Sequence, residues 1–218
     1  MRLEIELGFD DKLVLPIHYN NIVQGFIYNN IEDEIFKTFL HEEGFQYGKR
    51  SFKLFTFSRL FGRFQMDTKN ETITFTSPVQ LIVSSAVDEF IENLANSLIK
   101  NGDLFLGRTS VYINNISAYD YKKNCNSGVI TMLSPMVTYS TVTLMGKKKT
   151  IYHRPSSEIF NKLMYENLRK KYEIIYGGQP DDEVFSIEPL NDTDIKMNII
   201  KYHGIIIKGW MGKYRLEG

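Results

Sequence analysis

The chain has 218 residues, 43% of them apolar, and its 26 basic and 26 acidic side chains leave a formal net charge of zero. That length and apolar content supply a core for one large domain or two small ones, and the neutral total excludes a protein that coats nucleic acid indiscriminately, though not one that grips it along one face. No run approaches the roughly 18 apolar residues of a membrane span, the opening MRLEIELGFDDK lacks the order of a signal region, and the single Cys125 excludes an internal disulfide, so a cytoplasmic protein is expected.

Arg2 to Leu7 alternates charged and apolar residues as a half-buried strand does, and Gly8-Phe9-Asp10-Asp11 then reads as a turn. A helix follows, capped by Asn20 or Asn21. Its apolar positions Val23, Phe26, Ile27, Ile31, Ile35, Phe36, Phe39 and Leu40 recur at helical spacing, and it ends near His41 and Gly44. Phe52 to Phe57 predicts an aromatic-rich strand. Residues 71–83 predict another, in which Pro78 marks an edge, a break or a bulge. Ser85 with Asp88 resembles a capping box for a helix carrying Val87, Phe90, Ile91, Leu94 and Leu98 up to Gly102, and Val111 to Ile116 closes a β-α-β-β-α-β order.

The polar segment from Tyr119 to Gly128 marks a boundary between domains of residues 1–118 and 128–218. Beyond it the pattern repeats loosely. Val129 to Leu133 is a strand, Lys147 to Lys149 sits in a hairpin-like region, and Ser156 or Ser157 opens a helix with Phe160, Leu163, Met164 and Leu168. Strands are expected at Val184 to Ile187, Ile195 to Ile200 and Ile205 to Tyr214, the last two joined through His203-Gly204. The fold class expected is α+β, two tandem ferredoxin-like βαββαβ domains with antiparallel sheets.

Charge is unevenly divided. Residues 1–117 hold 11 basic and 15 acidic groups, a balance of 11 − 15 = −4, while residues 118–218 hold 15 and 11, a balance of +4. Locally, Lys49, Arg50, Lys53, Arg59 and Arg63 fall within one stretch without an acidic residue, which points to an anionic ligand. His41, an imidazole that exchanges protons near neutral pH, stands just before that stretch at a helix end. His18 is the rival histidine, otherwise a loop residue bonded to backbone. No histidine has a second ligand at short spacing, so no metal site and no cofactor are expected. Lys147, Lys148 and Lys149 either touch phosphates from a hairpin tip or are solvated turn residues. Arg169, Lys170 and Lys171 complement a helix dipole, and Phe52, Phe55, Phe57 and Phe61 read as core rather than as base-stacking platforms.

Six pieces, LPIHYN, GFIYNNI, FLHEEGF, FKLFTFSRL, VITMLSPM and IIIKGWMGKYRLEG, span nearly the whole chain in order. Together they resemble the CRISPR-associated endoribonuclease family that cuts the repeats of precursor guide RNA, part of the RAMP superfamily. The resemblance implies a metal-independent cut within CRISPR repeat RNA that leaves a 2′,3′-cyclic phosphate and a 5′-hydroxyl. It implies His41 as catalytic residue with Tyr28 and Lys53 completing the set, and Lys49, Arg50, Arg59, Arg63 and Lys147 to Lys149 on RNA. The alternative it allows is a non-catalytic RNA-binding subunit of a CRISPR effector complex; a homodimer is a further expectation. Members usually continue into a glycine-rich segment, which this sequence lacks after IIIKGWMGKYRLEG. One geometric condition attaches to the set. On an unbroken helix Tyr28 and His41 would point about 220° apart, so the helix must end, bend or unwind between them.

Overall fold

The computed structural model of the chain describes residues 1–120, 127–180, 185–202 and 204–217. Cys125, Val184 and His203 lie outside them, as does most of the polar segment expected to part the domains. Two compact units divide the chain, residues 1–122 and 123–218.

In the first unit, strand β1 (Arg2–Gly8) alternates as its sequence demands: Leu3, Ile5 and Leu7 are buried while Arg2, Glu4 and Glu6 take the other face. It pairs antiparallel with both long strands, β7 (Thr72–Ser85) and β9 (Thr109–Tyr119). The early half of β7 lies between β2 (Lys12–Pro16) and β6 (Phe61–Asp67), and its later half between β1 and β5 (Phe55–Phe57). The changeover falls at the cis Ser77–Pro78 bond, where a residue without an amide donor ends one ladder. β8 (Leu104–Leu106) completes the sheet order β2-β7-β1-β9-β8. Helices α1 (Asn20–Asn29) and α3 (Asp88–Lys100) cover the apolar face, burying Val23, Phe26, Ile27, Phe90, Ile91, Leu94 and Leu98 in one cluster with sheet residues such as Ile5, Leu81 and Val83.

Several local expectations are corrected. The apolar stripe from Val23 to Leu40 is not one helix: α1 stops at Asn29, a short α2 spans Glu34–Thr38, and a π-helical turn runs Phe39–Glu43, so Ile35 is exposed rather than part of a buried stripe. Phe52 to Phe57 is likewise divided, because β4 (Arg50–Phe52) pairs with β3 (Phe45–Tyr47) as a separate hairpin while β5 joins the main sheet. The capping box at Ser85 does not form. Ser85 Oγ accepts from the Val87 amide and donates to the Leu54 carbonyl, and Val87 stands at the N-cap of α3. β2 and β6 were not expected. β6 has no buried face, so the alternation that announces a strand is missing from it.

In the second unit, β10 (Ser127–Thr131), β16 (Lys213–Glu217) and β13 (Ser186–Pro189) form a sheet in the order β10-β16-β13. With helix α4 (Glu158–Tyr176) they supply a β-α-β-β sequence of the ferredoxin-like pattern. Two hairpins are added: β11 (Tyr139–Leu144) with β12 (Lys147–Tyr152), and β14 (Lys196–Tyr202) with β15 (Ile205–Met211). The expected strand from Ile205 to Tyr214 is therefore two, parted at Gly212. Phe160 of α4, Ile187 and Tyr214 are the buried centre. The class is α+β with antiparallel sheets and ferredoxin-like units in tandem. Among the described residues no helix is long and apolar enough to cross a membrane.

Candidate active site

The site begins where α1 ends. Asn30, buried, donates from its side-chain amide to the Phe26 carbonyl at 2.8 Å, occupying an acceptor that the next helical turn would need. Three residues on, Asp33 accepts from the Ile35 and Phe36 amides at 2.9 and 3.0 Å and starts α2 as its N-cap. Between them the chain is held to α3, since the Asn93 side chain accepts from the Glu32 and Asp33 amides. The condition set by the sequence is thereby met: the break lets two residues thirteen apart turn toward one point.

At that point the rings of Tyr28 and His41 lie 5.6 Å apart, edge to face at 78°. Tyr28 is buried, its other side against Phe55 at 5.7 Å, and Phe55 stacks on Phe90 of α3 at 4.6 Å. His41 is exposed. The imidazole therefore stands open to a ligand on a floor of packed aromatics. It belongs to the π-helical turn, a form that leaves room for an extra residue within a helical turn and recurs at functional sites.

Lys53 reaches the same turn from the other direction. Its ammonium donates to the His41 carbonyl at 3.1 Å, and its removal from water lowers the ammonium's pKa below the ordinary value. Lys53 lies between β4 and β5, not within a strand as expected, at a bend where Leu54 adopts the left-handed region with φ of 53°. The Leu54 carbonyl is fixed there by the Ser85 hydroxyl and the Ala86 amide.

Two residues that sequence reasoning did not assign complete the frame. Ser51 donates its hydroxyl to the Glu43 carbonyl. Gly44, with φ of 67°, closes the turn through its amide to the Phe39 carbonyl at 2.6 Å; a Cβ there would sit 2.7 Å from Ser51 Oγ, 2.8 Å from the Phe52 carbonyl and 3.1 Å from the Lys53 side chain. Gly44 marks the helix end in the sequence. Its contact with Lys53 depends on the β3–β4 hairpin folding back, which no local pattern announces.

The predicted cations separate. Lys49 and Arg50 occupy the tip of the hairpin that leaves Gly44. Arg59 belongs to the opposite end of α1, where Tyr19 accepts from the Leu60 amide at 3.1 Å. Burial raises the Tyr19 hydroxyl's pKa against the pull of that amide and of the Arg59 charge. Tyr19 and Tyr28 are nine residues apart, about 13 Å along a helix axis, so His18, beside Tyr19, lies away from His41. Arg63 sits in a cross-strand row with Thr76 and Lys12. Lys147, Lys148 and Lys149 belong to the second unit, on β12. Among the described residues no group of three His, Cys, Asp or Glu side chains gathers to hold a metal ion.

The chain is similar over most of its length to known proteins. The family profile described as CRISPR-associated protein Cas6, N-terminal, matches residues 14–117, and that described as CRISPR associated protein Cas6, C-terminal, matches residues 118–218. The CRISPR-associated endoribonuclease Cas6 1 of Methanocaldococcus jannaschii is 29% identical over 204 residues, covering 91% of this chain and 76% of that protein. The endoribonuclease-like protein Cas6nc of Pyrococcus horikoshii is 29% identical over 224 residues, 100% of this chain and 88% of that one. In fold, the chain matches the solved structure of a Cas6-related protein from Pyrococcus furiosus with a TM-score of 0.84 at 22% identity, over 100% of this chain and 87% of that one.

Proposed function

The chain belongs to the Cas6 family of CRISPR-associated proteins, and from that premise we propose that it is an endoribonuclease that cuts CRISPR precursor RNA within the repeats. The reaction is a metal-independent transesterification. The 2′-oxygen of a ribose attacks the adjacent phosphorus, the bond to the 5′-oxygen breaks, and the ends become a 2′,3′-cyclic phosphate and a 5′-hydroxyl. One proton leaves the 2′-hydroxyl, one reaches the departing 5′-oxygen, and negative charge grows on the nonbridging oxygens in between.

The observation that carries the reading is the meeting of Tyr28, His41 and Lys53 at one turn. His41 moves a proton, being exposed and of the residue type suited to transfer near neutral pH. Lys53 answers the phosphoryl charge: an ammonium has three donors and the His41 carbonyl takes one. Tyr28, buried under the imidazole, sets its orientation. Lys49, Arg50, Arg59 and Arg63 would line the RNA phosphates, with strand β12, which carries the lysine run, as a second contact.

The test is the chain incubated with the repeat RNA of its own host. Cleavage should persist in excess chelator, and His41→Ala should slow it by about 10²- to 10⁴-fold with affinity nearly unchanged. Activity lost on chelation and restored by a divalent ion would overturn the mechanism, and a dead His18→Ala beside an active His41→Ala would overturn the assignment. The similarity over its whole length to an endoribonuclease-like relative favours a second reading, an RNA-binding subunit without cleavage. Tight repeat binding with no product would select it.

A further inference from the structure

Strands β11 and β12 pair in the register Tyr139↔Tyr152, Thr141↔Thr150 and Thr143↔Lys148, with Ser140, Val142 and the two remaining lysines, Lys147 and Lys149, in the alternate rows. Because side chains alternate across a strand, the register sorts the lysine run that the sequence presents as one block. Lys148 shares a face with the tyrosines and threonines. Lys147 and Lys149 share the face of Ser140 and Val142, which are half-buried.

The connection between the strands makes that division firm. Met145 and Gly146 both have positive φ, 50° and 77°, the pairing of a two-residue primed turn whose twist matches that of the strands and leaves no slack for a slipped register. Tyr152 is held in place by its hydroxyl, which donates to the Ile206 carbonyl of β15 at 2.9 Å. Tyr139 leans on that fixed ring, centroids 6.0 Å apart at 54°, yet is itself 57% exposed. An aromatic ring backed by an anchored neighbour and open on its other side, flanked by hydroxyls and a cation, has the composition of a single-strand nucleic-acid platform.

We propose that this face of the β11–β12 hairpin stacks one unpaired base of the RNA on Tyr139, with Lys148 alone of the three lysines on the adjoining phosphate. The proposal rests on the RNA reading above and makes it finer: unpaired rather than duplexed RNA is the ligand here, and one lysine counts where the sequence shows three. The opposite face of the hairpin offers aliphatic and half-buried side chains to the same lysine run, and its one ring, the half-buried imidazole of His153, is tied to the Ser140 hydroxyl at 2.9 Å.

The experiment uses the full chain carrying His41→Ala and the host's repeat RNA with 2-aminopurine at successive unpaired positions. One position should be quenched on binding. Tyr139→Ala should release the quench and weaken binding by about 5- to 150-fold, while Tyr139→Phe keeps both. Lys148→Ala should lower the salt slope by about 0.7, and Lys147→Ala and Lys149→Ala should leave it in place. Unchanged quenching in Tyr139→Ala, or equal slopes for Lys148→Ala and Lys149→Ala, would overturn this proposal alone. A parent chain that fails to bind the repeat at all would overturn the RNA reading with it.

Discussion

The two units differ in what their interiors hold. The first buries a continuous cluster of aliphatic and aromatic side chains from its strands and helices; Tyr28, beneath the candidate site, is part of it and Phe55 packs against it. The second centres on Phe160, Ile187 and Tyr214, and surrounds them with half-buried residues that include Met132, Met136 and Met164. Close-packed aliphatic cores hold positions to fractions of an ångström, whereas methionine adapts. A group that must meet a reacting atom belongs on the former, and surfaces that need only receive a flexible strand can stand on the latter. The π-helical turn with His41 lies on the first unit, and the exposed hairpins β11–β12 and β14–β15 belong to the second.

The largest expected effect on this contrast is in the first core. Leu81→Ala, at a fully buried position of β7, should cost about 2–5 kcal/mol in denaturant unfolding; a loss under about 1 kcal/mol would show a core softer than described. Next comes Gly44→Ala, which puts a methyl group against the Phe52 carbonyl in a left-handed backbone. Misplacing the turn by about 1 Å should slow cleavage by roughly 10²-fold while repeat affinity stays near that of the parent. An unimpaired rate would separate His41 from its turn.

In the second unit Tyr214→Phe should run the other way. The Tyr214 hydroxyl is buried with no hydrogen-bond partner among the described residues, and burial together with the Asp192 charge pushes its pKa up to about 12. Losing it should leave stability at pH 7 unchanged or raise it slightly. Since the folded state favours the neutral phenol, its contribution is complete below the ordinary pKa near 10 and is lost as pH rises toward 12. The parent should therefore lose stability over that alkaline window more steeply than Tyr214→Phe, as thermal melts at about pH 9 and about pH 11, on either side of the ordinary phenol value, would reveal; identical losses would mean that the phenol is solvated. The smallest effect is at Arg63, in the row with Lys12 and Thr76. Arg63→Ala should reduce the salt slope of RNA binding by about 0.7, and an unchanged slope would remove that row from the RNA path.

Much was legible in the chain itself. Strict alternation marked β1, because one buried and one solvated face require it, and helical spacing marked α3 and the start of α1. His41 and Gly44 stood out at a helix end, and the family resemblance named Tyr28 and Lys53 beside them. What alternation and spacing could not supply was anything set by a distant partner. The break at Asn30 and Asp33 depends on Asn93 of α3, and the bend that delivers Lys53 depends on Ser85 and Ala86 holding the Leu54 carbonyl from a remote part of the chain.

Composition and local pattern thus determined the class of fold, the identity of the ionisable groups and the approximate ends of the elements, since these follow from the solubility and backbone preferences of each residue where it stands. Which of those groups meet was decided only by tertiary structure. Tyr28 and His41 would face apart on a continuous helix and face each other on a broken one. Lys147, Lys148 and Lys149 are equivalent as a run and unequal once paired strands assign alternate residues to opposite faces. The physical reason is the same in both cases: a side chain's direction is set by hydrogen bonds of the backbone beneath it, and the partners in those bonds lie elsewhere in the chain.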